Sequence, residues 1–172
     1  IEVTLEANPG TVDFEKFAGF REAGINRLSM GIQSFADDKL KALGRIHSAD
    51  EAKQAIAAAR NAGFDNFNLD LMFALPNQTL AQAIADVEQA IAFEPPHLSH
   101  YQLTLEPNTP FYKQPPILPD EDLAWEMQQA CQQILAKAGY QHYEVSGYAK
   151  PNHPCQHNLN YWTFGDYIGL GA

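Results

Sequence analysis

The sequence predicts an α/β fold built on a parallel sheet, and three observations carry that prediction. Apolar–polar alternation recurs in short stretches that are each followed by a helix-forming one. Two of those helices open on capping boxes, Ser48-Ala49-Asp50-Glu51 and Thr79-Leu80-Ala81-Gln82. Glycine follows the last turn of the helices at Ala23-Gly24-Ile25 and Ala62-Gly63-Phe64, where its left-handed freedom suits the C′ position. Strand-then-helix units in a row fit a parallel sheet with right-handed crossovers.

The elements follow in order. Ile1–Ala7 reads as a first strand, with Val3 and Leu5 on one face and Glu2, Thr4 and Glu6 on the other. Asn8-Pro9-Gly10 closes it, and Thr11 is placed to cap a helix running through Ala23, with Asp13 and Glu15 near its positive end. Arg27–Gln33 is the second strand, and a short helix over Asp37–Leu43 precedes the first capping box. Phe67, Leu69, Leu71 and Phe73 alternate with Asn68, Asp70 and Met72 in the third strand. The second capping box opens a helix through Phe93, Leu98–Leu105 is the fourth strand, and Glu106–Pro110 ends it. Pro115–Pro119 reads as an extended linker. A long helix over Asp120–Ala138 shows Leu123, Met127, Ala130, Ile134 and Ala138 near helical spacing. Tyr143-Glu144-Val145 follows as an edge strand, and the rest, rich in Asn, His, Tyr and Gly, reads as irregular.

At 172 residues the chain is one domain or a large piece of one, by the usual figure of about 150 per domain. Apolar residues at 45% and charged residues at 19% exclude a disordered chain. Eleven Lys and Arg against 21 Asp and Glu give a net charge of -10, which disfavours nucleic acid and anionic membranes as partners. No apolar run approaches the roughly 18 residues of a membrane span, and no signal-peptide pattern opens the chain. Two cysteines, Cys131 and Cys155, make no disulfide framework, so a reducing, cytoplasmic setting is expected. The chain starts inside a strand at Ile1 and stops in the glycine-rich stretch Tyr167–Ala172. Those ends predict an excised piece of a longer protein, with an exposed sheet edge prone to self-association.

In parallel α/β folds ligands sit beyond the carboxyl ends of the strands. Glu6, Gln33, Asp70, Gln102 and Glu106 lie at or near those ends. Asn68 and Asp70 share one strand face opposite an all-apolar one, and polar groups turned inward must bind a ligand or one another. Both readings, ligand site and self-satisfied network, stand on pattern alone. Arg45 lies in the loop before the first capping box, where its fork suits a carboxylate or simply faces solvent.

Four segments then carry a family resemblance: Leu5–Pro9, Arg27–Phe35, Asn68–Pro76 and Leu103–Thr109. In this order they resemble the radical S-adenosylmethionine proteins related to oxygen-independent coproporphyrinogen III oxidase. The resemblance spans essentially the whole chain. It implies a partial (β/α)6 barrel whose third to sixth strands occupy residues 1–112, and a C-terminal α+β extension beginning at 113–172. It implies that Glu6, Gln33, Arg45 and Asp70 hold S-adenosylmethionine, with Met72 and Tyr101 giving apolar contact. The family's [4Fe–4S] cluster is held by a Cys-x-x-x-Cys-x-x-Cys run that these residues lack. Cys131 and Cys155 do not replace it, so this chain alone is expected neither to assemble the cluster nor to cleave the cofactor.

Within the family, Cys155-Gln156-His157-Asn158-Leu159-Asn160-Tyr161-Trp162 resembles the haem-chaperone branch. That likeness implies haem as a further ligand, His157 as its iron ligand with Cys155 behind it, and haem-accepting proteins, respiratory enzymes among them, as partners. On the residues alone, His157 and Asn158 equally fit a hydrogen-bonded loop with Tyr161 and Trp162 in the core. Zinc is disfavoured because no second ligand pair accompanies His153, Cys155 and His157. His97 and His100 read as structural, and His47 as a neighbour that shapes the Arg45 site. The alternative function is the oxidase itself, decarboxylating coproporphyrinogen III. A Schiff-base aldolase is set aside because none of the four strands carries a lysine.

Overall fold

A computed structural model describes residues 1–11 and 13–170. Val12, inside the span expected for the first helix, and Gly171-Ala172, at the end of the glycine-rich stretch, lie outside the described residues. The order is β1 (Thr4–Ala7), a 3-10 turn (Pro9–Thr11), α1 (Phe14–Glu22), β2 (Arg27–Gln33), α2 (Asp37–Ala42), α3 (Ala49–Asn61), β3 (Phe67–Phe73), α4 (Leu80–Ala92) and β4 (His97–Gln102). There follow α5 (Pro110–Lys113), α6 (Glu121–Lys137), β5 (Gln141–His142), β6 (Gly147–Ala149) and α7 (Gln156–Trp162).

The sheet runs β1-β2-β3-β4-β6-β5. The first four strands are parallel neighbours in sequence order, and β6 and β5 add an antiparallel hairpin beyond β4. Leu28, Met30, Ile32, Leu69 and Leu71 turn to one side and pack on Ile56 of α3, Val87 of α4 and Met127 of α6 in a single core. Each such fully buried side chain contributes roughly 1.5–3 kcal/mol. Both expected capping boxes form, Ser48 with Glu51 and Thr79 with Gln82. Gly24 and Gly63 take positive φ (99° and 83°) after α1 and α3, as the helix-ending signature requires. Among the described residues, no helix is long and apolar enough to cross a membrane.

Several boundaries differ from the sequence expectation. The first strand begins at Thr4, because its one neighbour begins at Arg27 in register with it. Asp13 caps α1, accepting from Lys16 N–H, whereas Thr11 closes the 3-10 turn by donating to Asn8 O. β4 stops at Gln102, opposite the last residue of β3, since beyond that point no strand lies beside it. The buried stripe of α6 is Ala124, Met127, Cys131 and Leu135, one residue round from the predicted face.

The expected edge strand Tyr143–Val145 is instead the turn of the β5–β6 hairpin, closed by Tyr143 N–H donating to Gly147 O. The supposedly irregular tail contains α7. Its start has no side-chain cap from Cys155. Glu2 supplies one from the other end of the chain, accepting from Gln156 N–H at 3.0 Å. A tertiary cap of that kind leaves no local sequence signal.

Candidate functional site

The second face of the sheet is polar, and strand register arranges it in rows. Glu6 aligns with Ser29, Ser29 with Asn68, and Asn68 with His97, giving one polar row across all four parallel strands. Toward the carboxyl ends, Asp70 aligns with Ser99 and Met72 with Tyr101. Beneath them Thr4 aligns with Arg27. This face lines a cavity of about 420 Å³ whose other wall comes from Cys155, His157 and Asn158 and from Tyr167–Leu170.

The rows are internally bonded. Asn68 Nδ2 donates to Asp70 Oδ1 (2.8 Å) and to Ser29 Oγ (3.0 Å), and Ser29 donates to Asp70 Oδ2 (3.3 Å). Burial raises the Asp70 carboxyl above its ordinary range, opposed first by the Asn68 hydrogen bond. Burial and the Asp70 charge together raise Glu6. Two carboxylates thus face one cavity, which favours a ligand with positive charge or hydroxyl donors.

At the carboxyl ends, Tyr101 donates to Gln33 Oε1 at 3.0 Å, and its phenol is raised by burial and then by Asp70. Gln33 sits at φ 67°, just past a bulge between Met30 and Gln33 that interrupts the β2–β3 register. Ala74, the first residue after β3, also has positive φ (55°). For non-glycine residues this conformation is strained, and such strain gathers at binding sites. Arg45 donates to Asn8 Oδ1 (2.6 Å) and to Gly31 O (3.3 Å). A Cβ on Gly31 would come within 3.2 Å of Gln33 Nε2 and 3.3 Å of Arg45 Nη2, so that glycine lets both side chains close over β2. His47 pins the Arg45 loop through Nε2 and Ile32 O (3.1 Å), and burial lowers its basicity.

Of the residues expected from the sequence to hold a cofactor, Glu6, Asp70 and His157 line this cavity. Gln33 and Tyr101 are hydrogen-bonded beside it, Met72 is half-buried on the same face, and Arg45 stands apart in a shallow depression with Asn8 and His47. His157 is exposed and packs edge-on against Tyr167, with ring centroids 4.8 Å apart. Tyr161, Trp162 and Phe164 are exposed around a second, apolar depression rather than forming core.

Cys155 is buried with Sγ 3.6 Å from Glu2 Oε1, and burial raises its thiol. Cys131 lies in the core, pushed up to about 12. Neither is a ready thiolate ligand. Among the described residues, no three His, Cys, Asp or Glu side chains converge as a metal site.

Sequence reasoning missed four members of the site. Arg27 is 3% exposed, and its Nε has no hydrogen-bond partner among the described residues. A charged residue opening a mostly apolar strand is its one signal in the sequence. Ser29, Ser99 and Tyr143 gave none, since only register and the hairpin bring them in.

The radical SAM superfamily signature matches residues 1–90. The chain is 57% identical to the haem chaperone HemW of Escherichia coli (strain K12) over 99% of its own length and 45% of that relative's. It is 60% identical to the haem chaperone HemW of Haemophilus influenzae over 100% of its own length and 45% of that relative's. The chain therefore spans less than half the length of these curated relatives. Among solved structures it resembles the coproporphyrinogen III oxidase HemN of Escherichia coli, described as a radical SAM enzyme. That match has a TM-score of 0.79 and 27% identity, covering 88% of this chain and 36% of that one. The archaeal Methanocaldococcus infernus Elp3 shares the fold at a TM-score of 0.67 and 19% identity, over 78% of this chain and 33% of that one. With its parallel strands, its polar inner face and a signature covering more than half its residues, the chain belongs to the radical SAM superfamily.

Proposed function

We propose that this chain is the cofactor-binding portion of a haem chaperone, which binds S-adenosylmethionine and haem and delivers haem to acceptor proteins. The observation that carries this reading is the 57–60% identity to curated haem chaperones along essentially the whole chain. Residues 1–112 would supply barrel strands three to six and residues 113–172 the start of the C-terminal extension.

The residues at the carboxyl ends fit S-adenosylmethionine by their chemistry. Glu6 would face the cationic methionine end, Arg45 its carboxylate, and Gln33 with Asp70 the ribose hydroxyls, while Met72 and Tyr101 would supply apolar contact. The cradle over Gly31, which a Cβ would fill, supports that placement. Bound S-adenosylmethionine would bring a sulfonium beside a [4Fe–4S] cluster in the full-length protein. Cys131 and Cys155 do not fit that cluster, and its ligands belong to residues outside this chain. His157 would hold the haem iron, and the exposed Tyr161, Trp162 and Phe164 would cover the porphyrin.

The test is an anaerobic haem titration of the full-length protein, followed at the Soret band beside His157→Ala. Saturable binding that weakens or shifts in the variant supports the reading, and an unchanged spectrum and affinity remove His157 as ligand. A second reading, oxidative decarboxylation of coproporphyrinogen III, draws on the likeness to the oxidase. Failure to bind haem together with conversion of that substrate would establish it instead.

A further inference from the structure

Tyr143 belongs to none of the motifs above, yet its phenol oxygen joins three elements. It accepts from Cys155 N–H (3.2 Å) and from Asn158 Nδ2 (3.1 Å), and it lies 2.7 Å from His97 Nε2. A phenol has one proton and can accept two hydrogen bonds. With both acceptor positions filled, that proton is donated to His97 Nε2. The ring proton of His97 is then on Nδ1, donating to Asn68 Oδ1 at 2.7 Å. A neutral ring accords with burial, which pushes His97 down to about 3.

The Asn68 amide is oriented in turn. Its Oδ1 also accepts from Ser99 Oγ (3.1 Å), so its Nδ2 faces Ser29 and Asp70. Every proton in this chain points from α7 toward Asp70. Reversing one link would set a buried donor against a donor. No residue within α7 itself is buried. Its seat therefore depends on polar ties, namely Asn158 and the Cys155 N–H to Tyr143, and the Gln156 N–H to Glu2.

We propose that Tyr143 is a positioning residue that couples the seating of α7 to the aim of the Asp70 carboxylate. S-Adenosylmethionine at Asp70 and a ligand at His157 then each strengthen the other's binding. The coupling is reciprocal by linkage, and it rests on the functional reading given above. Ordering of Asp70 by the cofactor's hydroxyls locks the relay, and the locked relay holds α7 and its imidazole in place.

The experiment is hydrogen exchange of the α7 amides in the full-length protein with and without S-adenosylmethionine, with calorimetric titration of the same samples. In the wild type, S-adenosylmethionine should slow exchange across α7 by about three- to ten-fold, the equivalent of one net hydrogen bond. Tyr143→Phe should lose that protection and bind S-adenosylmethionine about three- to ten-fold more weakly. Asn158→Ala cuts the relay at its α7 end, so it should lose the protection with a smaller fall in affinity. Binding by the wild type without protection of α7, or equal protection in wild type and both variants, overturns the coupling and leaves the functional reading standing. No binding by the wild type overturns both.

Discussion

The two faces of the central sheet are made from the same strands and do opposite work. One face carries Leu28, Met30, Leu69, Leu71 and Leu98, packed dry against helices. The other carries Glu6, Ser29, Asn68, Asp70, His97 and Ser99 around a cavity. Each side also holds a carboxylate, fully buried on the helix side and half-buried on the cavity side. On the helix side Asp86 accepts from Ser34 Oγ and Phe35 N–H, both at 2.7 Å, and ties α4 to the loop after β2. On the cavity side Asp70 accepts from Asn68 and Ser29 and remains turned toward open space. Burial raises both. One carboxylate is used up in holding the fold, whereas the other keeps a side open to the cavity.

The sharpest contrast should appear in stability. Leu69→Ala on the dry face removes a fully buried side chain and should cost about 2–5 kcal/mol, read from the urea unfolding midpoint. A loss below about 1 kcal/mol would mean that the helices do not depend on that face.

Acid should come next, because β4 places one buried histidine on each face. Burial pushes His97 down to about 3 and His100, stacked on Phe73, down to about 4. The unfolded chain protonates each near its ordinary value of 6.5 and the folded chain does not. Their contribution is therefore complete above 6.5 and is lost as the pH falls toward the depressed values. Between about pH 6.5 and about pH 5.5 the pair should cost about 2 kcal/mol, about 1 per histidine, because the unfolded histidines are only half protonated at the start of that interval. The raised carboxyls of Asp70 and Asp86 work in the opposite sense at the acid end. His100→Phe should remove about half of the slope, and a slope that survives intact would clear His100.

Much of the dry face was legible in the sequence because a repeating apolar pattern is local. Phe67 to Phe73 announces a strand, and the two capping boxes announce their helices, without knowledge of any neighbour. The polar row was not legible in the same way. Asn68 and Asp70 stood out as a polar pair, but Ser29 and His97 gain meaning only once register sets them on either side of Asn68. Tyr143 reads as part of an edge strand in the sequence, and only the hairpin turns its phenol toward His97. Glu6 and Gln33 stand out at strand ends and Arg45 in its loop, but composition and spacing leave their roles open, and only the family resemblance joins them into one set.

On the helix side, Asp86→Ala would leave the Ser34 hydroxyl and the Phe35 N–H without their acceptor. A loss of about 1–3 kcal/mol is expected, again from urea unfolding. A neutral result would mean that water replaces the carboxylate and that the loop after β2 is held by other contacts.

The smallest change in stability, under about 1 kcal/mol, is expected from Asp70→Asn. The substitution removes a half-buried charge whose ionisation desolvation opposes, and it keeps one oxygen to accept from Asn68. Its second position becomes a donor toward Ser29, whose hydroxyl can rotate to accept. The fold therefore loses little. A cofactor hydroxyl that donated to that oxygen would meet an N–H instead, and S-adenosylmethionine affinity in the full-length protein should fall by about ten-fold or more. A variant that unfolds more easily and binds as before would make Asp70 a second Asp86, and the distinction between the two faces would fail at the residue where it matters most.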